Sequence, residues 1–150
     1  MILFCDTSAL IKLYVQEEWS SAMRGAVNEA SVVAVCRVAW TEAMSALARR
    51  GREFPEELPL LERVRDHFRK DWESYAKVEV SQALVEQAGE FAEIFALWAY
   101  DSIQLTAANV LQTEMPGNVS FACFDQRLQK AAQVLGLLPL DLDRLNQISS

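Results

Sequence analysis

The stretch from Met1 to Tyr14 constrains the fold more than any other part of the chain. A short apolar run, Ile2-Leu3-Phe4-Cys5, ends abruptly at Asp6. Thr7 and Ser8 then open an amphipathic helix with Leu10, Leu13 and Tyr14 on one face. A strand that delivers a carboxylate at its C-terminal tip, beside a helix N-terminus, is a natural beginning for a metal or phosphate site.

The alternation continues down the chain. Periodicity and capping residues predict helices over 7–14, 19–29, 38–48, 56–72, 82–94, 101–112 and 126–135. Strands are expected over 2–5, 31–36, 75–80 and 119–124, with a last short one at 137–140. Met115-Pro116-Gly117-Asn118 reads as a turn. Strands alternating with helices give an α/β fold with a mainly parallel sheet and right-handed crossovers. No repeat, linker or low-complexity segment interrupts the pattern, so residues 1–150 are expected to form one domain with a polar, peripheral tail from about residue 141.

Composition narrows the classes of function. Apolar residues make up 51% of the chain, enough for a full core, yet no apolar run is long enough to span a bilayer. The N-terminus meets an acid at once and has no basic region, which argues against a secretory signal; a cytoplasmic protein with no membrane partner is expected. The odd set Cys5, Cys36 and Cys123 lies in predicted strands without C-x-x-C spacing, as buried hydrophobes in a reducing compartment would. With 14 basic and 21 acidic residues the net charge is −7. That excludes nucleic-acid binding through a broad basic surface, but leaves room for a small basic rim, a bound cation or a basic protein partner.

In a parallel sheet every strand-to-helix junction lies on the same edge. Asp6 and Asp125 each follow a strand, and Glu42 falls near the first turn of the helix after strand 31–36, so these three share that edge. Asp101 has no strand directly before it, and the pattern leaves its place open. Aspartate is also a favoured N-cap, and Asp101-Ser102-Ile103-Gln104 resembles a capping box in which Gln104 reaches back. Several carboxylates in one cleft repel one another unless a divalent cation holds them ionised. An all-carboxylate set suits Mg²⁺ or Mn²⁺ rather than zinc, and the chemistry it fits best is metal-assisted phosphodiester hydrolysis.

The same residues carry a family resemblance. The segments 3–14, Thr41-Glu42, 97–108 and 123–132 together resemble the PIN-domain proteins, and specifically the VapC-type toxins of type II toxin–antitoxin systems. The resemblance implies a three-layer α/β/α fold and a Mg²⁺- or Mn²⁺-dependent endoribonuclease. It also implies a cognate antitoxin as partner, RNA as substrate and frequent homodimers. It places Asp101 with Asp6 and Asp125 as metal ligands, adds Glu42 to the catalytic acids, and gives Ser8, with Thr7, a supporting role. Two positions depart from the family pattern beside Asp101: Trp98 replaces a frequent basic residue and Gln104 a frequent histidine.

Lys12 and Arg127 are candidates for RNA phosphate contacts, with Arg37, Arg49, Arg50, Arg52 and Lys130 as further rim cations. Trp19, Trp40, Trp72 and Trp98 read as core or subunit-interface residues, and His67 as a surface residue. Two other α/β enzyme classes with acidic sites fit less well. A haloacid-dehalogenase-type phosphatase needs an aspartate where Ser8 stands, and a response-regulator receiver needs an acidic pair after the first strand. The remaining alternative is a PIN-like scaffold that binds RNA or protein without cutting. An antitoxin tail covering the cleft is expected to present Arg or Lys to the acids.

Overall fold

The computed structural model describes residues 1–148. Four strands, β1 (Ile2–Cys5), β2 (Val32–Cys36), β3 (Ala76–Val78) and β4 (Val119–Ala122), form one all-parallel sheet in the order β3-β2-β1-β4. The chain builds outward from β1 through β2 to β3, then returns to place β4 on the other side of β1. The strand order therefore reverses between β1 and β4, and a crevice opens at their C-terminal ends.

Helices cover both faces of the sheet. Along β1, Ile2 and Phe4 enter a core shared with α5 (Gln82–Phe95), α6 (Ala99–Glu114) and α7 (Gln126–Val134). Leu3 and Cys5 enter the opposite core, shared with α1 (Thr7–Ile11), α2 (Ser20–Glu29), α3 (Val38–Glu53) and α4 (Leu58–Trp72). All four β1 side chains are buried, which is why the segment is apolar without alternation. The fold is thus α/β, with the sheet between two helical layers. Among the described residues no helix is long and apolar enough to cross a membrane.

Several boundaries differ from the sequence expectation. Helix α1 stops at Ile11 because the chain tightens there through Leu13 N–H and Tyr14 N–H bonds to Leu10 and Ile11 carbonyls at 3.1 and 3.0 Å. Tyr14 turns instead toward α4, donating to Asp71 Oδ2 at 2.9 Å, meeting the Tyr75 hydroxyl and packing edge-on against Phe68. His67 is exposed, as expected, but stands 3.3 Å from Asp71. Strand β3 is shorter than 75–80, and 137–140 gives a single bridge, Ser120 to Leu138, beside β4.

The tail differs most. Residues Leu142–Ile148 form α8, whose Leu145 is 2% exposed in the core beneath α2, and Arg144 makes a bidentate pair with Glu29. The segment reads as polar because only one of its faces is covered. Residues 149 and 150, the end of the expected tail, lie outside the described residues.

Candidate functional site

The deepest acid is Asp6, 5% exposed at the tip of β1. It caps α1: its Oδ1 accepts the Ala9 N–H at 2.9 Å and the Ser8 hydroxyl at 2.7 Å. Capping and site placement are therefore compatible, because the cap occupies one carboxylate oxygen. Asp125 follows β4 and caps α7 in the same way, with Oδ1 accepting Leu128 N–H at 2.8 Å. Gln129 donates to the Cys123 carbonyl at 2.7 Å and ties α7 to the loop that presents Asp125.

Glu42 comes from α3 and Asp101 from the first turn of α6. Helix α6 begins at Ala99, with Trp98 as its N-cap and no side-chain cap bond, so Asp101 is not the cap residue. The expected capping box is absent for that reason. Gln104, one turn beyond Asp101 and 2% exposed, reaches across the cleft instead. Its amide donates to Glu42 Oε1 at 2.9 Å and to Thr7 Oγ1 at 3.0 Å, and Thr7 in turn donates to Glu42 Oε1 at 2.9 Å. The reversed amide would set an oxygen against the carboxylate, so this orientation is the favourable one. Gln104 Oε1 is left buried with no partner among the described residues.

All four acids line one cleft of about 820 Å³, together with Thr7, Ser8, Tyr100, Gln104, Phe124 and Arg49 among others. From floor to rim they run from buried Asp6, through half-buried Glu42 and Asp101, to exposed Asp125. Their proximity is felt electrostatically. Burial, above all, pushes the Asp6 carboxyl up to about 7; Asp101 and Glu42 add to the rise, and the Ala9 and Ser8 hydrogen bonds oppose it. Asp101 is also raised, first by burial and then by Asp125 and Glu42.

The donor chemistry fits a hard divalent cation. The ligands are carboxylates, with a single oxygen on Asp6, Glu42 and Asp125 taken up by protein donors. They do not form a closed cage: among the described residues no three His, Cys, Asp or Glu side chains converge on metal-ligand spacing.

Of the two candidate phosphate contacts, Lys12 does not line this cleft. Its ammonium pairs with Glu17 at 3.2 Å and lies 4.5 Å from the centre of the Phe124 ring. Arg127 lines an adjoining groove with Lys130, Trp98, Asp101 and Asp125. Gln104 was not among the expected site residues. Its three-residue spacing from Asp101 places both on one helix face, and a glutamine between Ile103 and Leu105 in an apolar helix was the available signal.

A family model described as PIN domain matches residues 3–134. Over 148 residues the chain is 30% identical to a protein named Ribonuclease VapC45 from Mycobacterium tuberculosis strain CDC 1551, covering 95% of this chain and 98% of the relative. The same identity and coverage hold for one named Ribonuclease VapC49 from strain H37Rv of that organism. The crystal structure of PAE2754 from Pyrobaculum aerophilum superposes with a TM-score of 0.59 over 98% of this chain and 90% of that one. At 17% identity that match speaks to the fold alone.

Proposed function

The chain belongs to the PIN-domain family, and from that premise we propose that it is an endoribonuclease hydrolysing RNA phosphodiesters at the acidic cleft, with Mg²⁺ or Mn²⁺ as cofactor. The observation that carries this reading is the meeting of Asp6, Glu42, Asp101 and Asp125 in one cleft where the strand order reverses. Relatives of nearly equal length that carry the name ribonuclease support it.

In this reading Asp6, Asp101 and Asp125 hold the cation, whose chemistry is to activate water and neutralise charge on the phosphate. The chain's own contribution is positional. Ser8 and the Ala9 amide fix one oxygen of Asp6 and leave the other for the cleft. Thr7 and Gln104 do the same for Glu42, whose second oxygen is left to accept a hydrogen bond from water. The biological role that follows is the toxin of a type II toxin–antitoxin pair, acting as a single domain in the cytoplasm. A cognate antitoxin covers the cleft with basic side chains, and the active form is a homodimer.

The test is cleavage of single-stranded RNA by purified protein. Cleavage is expected with Mg²⁺ or Mn²⁺ and not with EDTA, and Asp101→Asn should lower it by roughly a hundred- to a thousandfold, the range for losing one preorganised electrostatic group. A protein that cuts no RNA under any metal condition would instead be a non-cleaving scaffold.

A further inference from the structure

Two aromatic side chains just before Asp101 stand exposed in one turn of chain. Trp98 is 82% exposed and Tyr100 is 57% exposed. Trp98 lines the groove shared with Arg127 and Lys130, of about 680 Å³, whereas Tyr100 lines the acidic cleft that ends at Arg49. Asp101 and Asp125 belong to both, so the two depressions form one continuous path across the acids.

Cations sit at both ends of that path. Among the described residues Arg49, Arg127 and Lys130 form no ion pair, as is also true of Arg24, Arg52, Arg63, Lys70 and Lys77 elsewhere in the chain. Arg127 is held by a carbonyl alone, donating to Ala96 at 2.9 Å, which fixes it beside the turn that presents Trp98. In a chain of net charge −7, two such cations beside Trp98 and a third in the cleft with Tyr100 give the flanks of the acids a local positive character that an anion can meet. Burial explains neither aromatic, since both rings give most of their surface to water.

Resting on the ribonuclease reading, we propose that this path is the track of a single-stranded RNA substrate, with the Trp98 indole as the stacking platform for the base next to the cut phosphate. Arg127 and Lys130 take the phosphate on that side. Tyr100 and Arg49 take the nucleotide on the other. Aromatic rings alternating with cations along a groove suit an unpaired strand, whose bases are free to stack, and do not suit a duplex. The phosphate between the two bases faces the acids, where a bound cation would offset the like charges.

The experiment measures binding of short fluorescent single-stranded RNA oligonucleotides in EDTA, which stops cleavage, with particle mass followed by light scattering. The exposed position of Trp98 spares the core in its variants. Trp98→Ala should weaken binding roughly ten- to hundredfold, the effect of losing one stacked base, while Trp98→Phe retains most of it. Lys130→Gln should weaken binding to all sequences alike and lower the salt dependence by about one phosphate contact. If the parent binds and cleaves RNA but Trp98→Ala binds equally tightly, the stacking assignment is overturned and the ribonuclease reading stands. Unchanged RNA affinity with an altered particle mass also overturns it, and makes Trp98 a contact between copies. A parent that neither binds nor cleaves RNA removes both readings.

Discussion

Asp6 is costly to keep ionised in the folded chain. A carboxyl raised by burial to about 7 from its usual 3.8 binds a proton in the native state over a pH window where the unfolded chain has already lost it. The native state then binds more protons than the unfolded one, so stability falls as pH rises from about 4 to about 7. The exposed pairs of Glu29, Glu57 and Glu79 work in the opposite direction, because cationic hydrogen-bond partners hold their carboxyls below the usual value. Their small contribution is complete by about pH 5.5, which leaves Asp6 and Asp101 to set the slope above it. Metal-free protein should therefore melt lower at pH 8 than at pH 5.5. Asp6→Asn, which keeps the shape without the charge, should raise the pH 8 melting temperature by a few degrees and remove most of the pH dependence. A variant that melts below the parent at pH 8 would show that the carboxylate is a net stabiliser. Beside Asp6, the Thr7–Gln104–Glu42 network uses neutral donors to hold an acid in a site already crowded with negative charge.

At the level of elements, the site depends on helices that pack with no chemical role of their own. Helix α5 ends at Ala96 in the left-handed region, φ 53°, and the chain turns there to deliver Trp98, Tyr100 and Asp101. Helix α8 closes the lower face of the opposite layer through Leu145. Leu145→Ala should cost about 2–4 kcal/mol in urea unfolding, the range for a buried leucine truncated to a methyl. An unchanged midpoint would mean that α8 is not docked in solution. The sequence made β1, β2, β4 and their following helices legible, because each strand is an apolar run; β1 and β4 lead to an aspartate that caps the next helix, whereas β2 passes into α3 through Arg37 with no side-chain cap. It also placed Asp6, Glu42 and Asp125 on one sheet edge. Asp101 needed the family resemblance, since α6 starts without a strand before it or a cap to mark it. The Gln104 bridge was not legible as such, because local spacing favours a capping box and only the tertiary fold brings Glu42 and Thr7 within reach. Trp98 was read as a core or subunit-interface residue from its type; its place at the N-terminus of α6 leaves it exposed in the single chain, which rules out the core half of that reading.

For the whole molecule, the four acids come from four separate elements, α3, α6 and the ends of β1 and β4, and meet only once the sheet order is complete. A cation binding there binds the folded state alone and should stabilise it in proportion to its affinity. The negative net charge helps draw such a cation in, and the rim of Arg49, Arg127 and Lys130 gives the same acidic molecule a local means of meeting RNA. The central claim is that these carboxylates act as one divalent cation site. It is tested most directly by titrating Mn²⁺ into the purified protein near pH 7.5 and counting bound metal by electron paramagnetic resonance. The parent should take up Mn²⁺ saturably. Asp6→Asn and Asp101→Asn, each folded by circular dichroism, should bind it at least about tenfold more weakly, as the loss of one charged ligand requires. Uptake by both variants equal to that of the parent would contradict the site.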